Sequence, residues 1–371
     1  MLRFVFTFFI IFFIAFSGCI FPEKAKISLP AEIKIINNKQ KISAGNNTTF
    51  IATLKNKVDN DTFYLSTTSI GSGWNIWLNK NDFILDNEAE AGVFIFVESS
   101  KNVPIGKYSF SLICELKDAG EKVSKSIYIE IIEKKDVEKG KKVKVDYFGY
   151  LGDYKIFDTS IEEIGNNKNI PKAESFRERH DYEPLEFLVG SGDMIQGFDA
   201  GVVGMGIGET KRIKVESREG YGKFENATIN MTETINVYET MNLTDFKKIY
   251  KVNDIKPNMV FVHSFWKWYI TILALNEENL TFINMPNIGE KIKPYGWDTI
   301  VLSINSSANS GLGEIVLFHK PMKGMNMTYA NEFPGVVKDI VDDKIYIEYN
   351  SSTHKLGKEV LYFVVTVLEV I

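Results

Sequence analysis

The chain has 371 residues, 44% of them apolar and 25% charged, which is the length of two or three domains and the composition of a globular protein. Its net charge is −5 with acids and bases interspersed, so the basic stripe that nucleic-acid binding requires is absent. Two cysteines exclude a disulfide framework and a cysteine-based metal site.

After Arg3 comes an almost unbroken apolar run, Phe4 to Phe16, followed by Ser17-Gly18-Cys19. A basic start, a short apolar stretch and small residues outline a secretory signal. Ser-Gly-Cys is also similar to the lipobox of membrane-anchored lipoproteins, which implies lipidation of Cys19, although Phe16 stands where that pattern usually has leucine. Left uncleaved, Phe4 to Phe21 is close to the length of a minimal membrane span. Either outcome places the main body outside the cytoplasm, anchored at a membrane, and residues 1–24 are assigned to this anchor. Sequons at Asn46, Asn60, Asn226, Asn242, Asn279 and Asn326, among others, are candidate glycan acceptors on an exported chain.

Residues 25–134 read as all-β. Ile33–Ile36, Phe50–Leu54, Val93–Val97, Tyr108–Cys114 and Ile127–Ile132 are short β-branched or aromatic runs separated by turn signals such as Ala44-Gly45-Asn46-Asn47. The spacing predicts a β-sandwich, and Gly73–Leu78 with Val103–Tyr108 resembles immunoglobulin-like sandwiches of microbial surface proteins. It is expected to act as a spacer or substrate-presenting module, with Cys114 as a small buried apolar residue. The charged stretch Glu133 to Gly140 has the composition of a linker.

Lys142-Val143-Lys144-Val145-Asp146-Tyr147 then alternates strictly, as a half-buried strand does. It is followed by Phe157-Asp158-Thr159-Ser160, Glu183 to Gly190, Met194-Ile195-Gln196-Gly197-Phe198, Gly201 to Glu209, a strand from Lys211 to Val215, and Glu219-Gly220-Tyr221-Gly222. The glycines of Gly201 to Gly208 lack phosphate-loop spacing, so a helix end and turn is expected there. A final apolar run, Leu361 to Val370, completes the set after a long interruption.

These blocks, in this order, resemble the FKBP-type peptidyl-prolyl cis-trans isomerases, and among them the SlyD-like and archaeal branch, which carries an insertion before its last strand. The resemblance covers Gly140 to Gly222 and resumes from His354. It implies an α+β domain, a curved antiparallel sheet and one short helix around an apolar prolyl pocket, built from 135–222 and 354–371. The positions matching the family's central residues are Tyr147, Phe157, Asp158 and Tyr221, with Leu185, Phe187, Met194, Ile195, Phe198 and Phe363 forming the pocket wall. The resemblance implies that Tyr221 holds a carbonyl of the bound peptide and that Phe198 forms the floor. Leu185 replaces a common aromatic, Gly220 replaces a usual alanine, and the surface from Ile161 to Asp181 is longer than in minimal members.

Residues 223–353 form the insertion, whose ends must lie close together. Its last part, Pro334 to Tyr349, resembles the flap that binds unfolded chains in the SlyD-like branch, and Trp268 to Ile292 faintly resembles Phe333 to Val360, as a duplicated flap would. The fold class is therefore mainly β and multidomain: sandwich, isomerase domain and a largely β insert. No cofactor is expected, and His180, His263, His319 and His354 are too scattered for a metal site. The partners implied are proline-containing unfolded or extended polypeptides and, through the anchor, a membrane. Two functions compete: an isomerase that is also a chaperone for exported proteins, and a surface lipoprotein that binds extended polypeptide without catalysis.

Overall fold

The computed structural model describes residues 29–133 and 136–371. The signal or lipobox segment, Cys19 included, lies outside the described residues.

Nine strands form the first body: β1 (Ala31–Ile36), β2 (Lys39–Ser43), β3 (Asn47–Asn56), β4 (Asp61–Thr67), β5 (Trp74–Leu78), β6 (Asp82–Leu85), β7 (Glu90–Ser99), β8 (Gly106–Leu116) and β9 (Glu121–Ile132). They make two facing sheets, ordered β1-β3-β7-β5 and β2-β9-β8-β4-β6, antiparallel except for the β2–β9 pair. Phe50, Leu54, Val93, Ile95 and Val97 of one sheet enclose a core with Phe63, Phe110, Leu112, Cys114 and Ile129 of the other. Period-2 alternation sends every second residue inward. Yet β3 and β7 are buried along nearly their whole length, on both faces. The unbroken run Val93-Phe94-Ile95-Phe96-Val97 is the pattern of a strand covered on two sides.

The second cover is the sheet expected to carry the isomerase pocket, called the isomerase sheet below. It comprises β10 (Lys142–Tyr150), β11 (Ile156–Thr159), a short helix α1 (Glu162–Gly165), β12 (Leu185–Leu188), α2 (Gln196–Val202) and β13 (Thr210–Val215). The closing strand arrives from the far end of the chain as Leu361–Val370. Ile36, Ile51, Phe94 and Phe96 of the sandwich share one core with Phe148, Tyr150, Ile156 and Val364 of this sheet and Ile164 of α1. Polar contacts close its edges. Buried Glu209 accepts from Ser43 N (3.0 Å), Asn46 Nδ2 (3.1 Å) and Gly206 N (2.8 Å). Arg212 donates to Glu98 Oε1 (2.9 Å) and Asn47 Oδ1 (3.2 Å) while lying over the Trp77 and Phe96 rings. The sandwich therefore backs the isomerase sheet directly. The described end of the supposed linker is docked as well: Val137 is buried, and the backbone N–H groups of Asp136 and Val137 donate to the Met205 carbonyl. The Asn46 amide, engaged with Glu209, is not presented as a free glycan acceptor.

Between β13 and the closing strand the chain builds β14 (Phe224–Asn230), β15 (Thr232–Ile235), β16 (Tyr238–Asn242), α3 (Leu243–Tyr250), β17 (Val260–Val262), β18 (Tyr269–Leu275), β19 (Asn279–Asn284), β20 (Lys291–Ile292), β21 (Asp298–Asn305), β22 (Glu314–Lys320), β23 (Asn326–Tyr329), β24 (Phe333–Val341) and β25 (Lys344–Asn350); the closing strand is β26. The side chain of Asn242 caps α3 by accepting from Thr244 N and Asp245 N.

The insert is a triple repeat. Three antiparallel meanders, β17-β18-β19, β20-β21-β22 and β23-β24-β25, are each completed by one strand of the preceding run, taken in reverse order: β16, β15 and β14. The middle strand of every unit carries a β-bulge at the same place, after Ile272, Val301 and Val337. An aromatic residue four positions before each bulge meets a residue on the next strand. The pairs are Trp268 with Asn284, Trp297 with His319, and Phe333 with Tyr349. The first and third units carry the faint likeness seen in the sequence; the middle unit is a further copy. Neighbouring units share cores, one around Phe282, Ile272, Val301 and Leu317, the next around Trp297, Met327, Val337 and Ile347.

Candidate active site

The isomerase sheet runs β11-β10-β26-β13, with β12 pairing β10. Because alternate residues face opposite sides, β10 turns Val145 and Tyr147 to the front and Phe148 and Tyr150 toward the sandwich. On β26, Phe363, Val365 and Val367 face front and Val364 faces back. Helix α2 lies across the front, and two glycines let it approach closely. A Cβ on Gly197 would stand 2.6 Å from Val215 Cγ1, and one on Gly201 would stand 2.4 Å from Ile213 Cγ2.

Five rings converge between helix and sheet. Phe198 lies 4.9 Å from Phe363, 5.7 Å from Phe187 and 5.9 Å from Tyr147, and Phe157 meets Phe363 edge-on at 5.3 Å. Leu185, Met194 and Ile195 are half-buried around them. Gly149 makes room for Phe157, since a Cβ there would stand 2.4 Å from the ring.

One polar cluster borders this apolar wall. Tyr147 Oη donates to Asp158 Oδ2 at 2.6 Å, and Arg179 Nη2 donates to Asp158 Oδ1 at 2.6 Å and to Tyr147 Oη at 3.3 Å. Burial, reinforced by the Asp158 charge, pushes the Tyr147 phenol above its ordinary range, so it stays a neutral donor. Although burial opposes the charge on Arg179, the Tyr147 and Asp158 oxygens outweigh it and hold the guanidinium pKa up. Thr159 and Ser160 fix the strand beneath: Thr159 Oγ1 donates to the Tyr147 carbonyl (2.9 Å), and Tyr147 N donates to Ser160 Oγ (2.8 Å). The loop leading toward Arg179 is pinned by Lys172, whose ammonium donates to the carbonyls of Ile164, Asn167 and Ile170. Burial lowers the pKa of Lys172 to about 8.

Tyr221 stands at the rim. It follows a 3-10 turn at Ser217–Glu219, is 38% exposed, and stacks on His354. Its pKa is raised by burial first and then by the Asp158 charge. The structure thus gathers Tyr147, Phe157, Phe187, Phe198 and Phe363 into one aromatic cluster bordered by Asp158, with Tyr221 at its edge. Two participants escaped sequence reading. Arg179 sits in the long 161–181 stretch, where the run Arg177-Glu178-Arg179 was the available signal. His354 lay in a matched block, with nothing nearby in sequence to indicate a ring partner.

Among the described residues no group of three or more potential metal ligands exists, and no helix is long and apolar enough to cross a membrane. A cavity of about 790 Å3 lies elsewhere, in the seam between sandwich and isomerase sheet, lined in part by Lys39, Lys41, Lys107, Tyr128 and Asp146. It opens on the reverse of the sheet and shares no lining residue with the aromatic pocket.

Residues 133–239 match the family model described as FKBP-type peptidyl-prolyl cis-trans isomerase. The short-type peptidyl-prolyl cis-trans isomerase of Methanocaldococcus jannaschii is 42% identical over 86 residues, 23% of this chain and 51% of that protein. Peptidyl-prolyl cis-trans isomerase FKBP15-1 of Arabidopsis thaliana is 36% identical over 84 residues, 23% of this chain and 43% of that protein. FK506-binding protein 1A of Neurospora crassa is 29% identical over 106 residues, 29% of this chain and 73% of that protein. The chain spans about half the length, or less, of the first two relatives. The family match ends within β16, so β26 joins this domain only through the three-dimensional fold. Residues 133–239 are thus similar to the FKBP-type peptidyl-prolyl cis-trans isomerases, and the likeness is to that domain alone.

Proposed function

We propose that the protein catalyses rotation about Xaa-Pro peptide bonds in the pocket formed by Tyr147, Phe157, Phe187, Phe198 and Phe363. Such a bond crosses a barrier of about 18–20 kcal/mol and takes tens to hundreds of seconds unaided. No covalent bond forms or breaks, so neither a nucleophile nor a proton shuttle is needed. The planar amide is polar through resonance, and the twisted transition state has lost that resonance. An apolar pocket that strips water from the amide therefore favours the twisted form. Each 1.4 kcal/mol or so of that preference is a tenfold gain in rate. The observation that carries the reading is the five-ring pocket bordered by a single carboxylate, Asp158, whose orientation Tyr147 and Arg179 hold.

The triple-repeat insert is the element we assign to holding unfolded or extended polypeptide near this pocket, in the manner of a folding chaperone. Membrane anchorage through a lipidated Cys19, with the main body extracytoplasmic, completes the proposal. A protease-coupled assay on a short Xaa-Pro peptide tests the catalytic part: no acceleration at micromolar protein refutes it and leaves the binding-only reading. Loss of refolding assistance on deleting 223–353, with peptide turnover intact, assigns the holding role to the insert. Mass spectrometry of the protein from its own membranes tests Cys19: an unmodified thiol there removes lipidation.

A further inference from the structure

The chain leaves the isomerase domain at Tyr221 and returns to it at His354, and these two side chains lie face to face. Their ring centroids are 4.1 Å apart and their planes 19° from parallel. The backbone on both sides is tied. Ser352 Oγ donates to the Tyr221 carbonyl at 2.7 Å, and Ser217 Oγ donates to the Gly357 carbonyl at 2.8 Å. Asn350, buried between them, donates through Nδ2 to Ser217 Oγ (2.9 Å) and the Gly357 carbonyl (2.8 Å). Its Oδ1 accepts from Lys223 N and Ser352 N, both at 3.1 Å. Two donors and two acceptor sites are all that an amide offers, so the knot is saturated and holds both strands of the junction in one arrangement.

The Tyr221 side chain, by contrast, is only partly covered, and its hydroxyl has no hydrogen-bond partner among the described residues. Its one ring neighbour among them is His354. We infer that His354 is a positioning residue for the isomerase. Its ring holds Tyr221 in the orientation that presents the phenol to the prolyl pocket, and the stack and knot together link that orientation to the seating of the insert. The inference rests on the isomerase reading and adds to it a residue that lies across the insertion from Tyr221 in sequence.

Holding a peptide carbonyl is a contact made alike in the ground and transition states, so its loss raises KM and leaves kcat nearly unchanged. A tyrosine that must be immobilised on each binding event costs about two- to tenfold in affinity. The test uses the full chain and a short Xaa-Pro peptide. His354→Ala is expected to raise KM about two- to tenfold with kcat within about twofold. His354→Phe, which keeps a flat ring, restores KM. In a Tyr221→Phe background, where there is no hydroxyl to orient, His354→Ala adds nothing. An unchanged KM in His354→Ala, no rescue by phenylalanine, or an equal rise in the Tyr221→Phe background overturns the inference. Calorimetric peptide binding separates it from the isomerase reading. A wild type that binds without turnover refutes catalysis alone, and the same variants then decide the inference by Kd. A wild type that neither binds nor turns over refutes both.

Discussion

Phe94→Ala tests whether sandwich and isomerase domain are one folding unit. Phe94 is 1% exposed and sits on the face of β7 opposite the sandwich's own core. Its ring lies 5.3 Å from Tyr150, 5.7 Å from Tyr154 and 6.4 Å from Phe96, so two of three aromatic neighbours belong to the isomerase domain. Phe→Ala in a packed core costs about 3–5 kcal/mol, transfer and cavity terms together. For a unit of 150 residues or more, each kcal/mol moves Tm by about 2–4 °C, so a fall on the order of 10 °C is expected. The assay is scanning calorimetry followed in parallel by near-ultraviolet circular dichroism and by Xaa-Pro turnover. A shared core requires the sandwich and isomerase signals to fall together, although Phe94 lies outside the isomerase segment. Phe50→Ala, aimed into the sandwich's own core, is the comparison. An isomerase transition that stays in place in Phe94→Ala, or a wild type whose sandwich melts separately, refutes the shared core. The functional reason to care is that β10 and β26 carry Tyr147 and Phe363 on the other face of the same sheet.

Arg179→Ala frees Asp158 from a 2.6 Å contact, and a fall of about three- to thirtyfold in kcat/KM is expected, hydrogen bonds to charged groups being worth somewhat more than neutral ones; unchanged kinetics would show that Tyr147 alone orients the carboxylate. Burial lowers the His263 pKa to about 4, and its Nδ1 accepts from Phe265 N and Trp266 N, so the folded state keeps it neutral while the unfolded chain protonates near pH 6.5. Stability is therefore intact above about pH 6.5 and declines as the pH falls toward 4, by at most on the order of 3 kcal/mol. Urea titrations of wild type and His263→Asn, which keeps an acceptor but does not titrate, should differ in slope only in that window; parallel curves remove His263 as the cause. Burial pushes the Cys114 thiol up to about 12, so in a Cys19→Ser chain an alkylating reagent at pH 8 should label Cys114 only after unfolding. Rapid labelling of the native chain would contradict that burial.

Much of the pocket was legible because its signals are local and ordered. Strict alternation over Lys142–Tyr147 declares which face of β10 carries Tyr147, and Phe157-Asp158-Thr159-Ser160 places ring, carboxylate and two strand-locking hydroxyls in one turn of sequence. Leu361–Val370 reads as a closing strand in the same way. The run Val93–Val97 announces a strand buried on both faces, but nothing in it says that the second cover is Phe148, Tyr150 and Val364. The repeat was visible in its outer copies and hidden in the middle one. A bulge and an aromatic contact are conserved by geometry, and Trp297 with His319 looks little like Trp268 with Asn284 as letters.

The sequence by itself determined most strands of the sandwich and of the domain after it, and their inward faces, because period-2 alternation and turn chemistry act over a few residues; the pocket-lining positions came from the order of the blocks, through the resemblance to a family. Only the tertiary structure decided three things: that the sandwich backs the sheet carrying the aromatic cluster, that Arg179 closes on Asp158, and that His354 stacks on Tyr221. Each of these depends on closing a long loop, and which distant residues meet when it closes is set by the packing of whole elements.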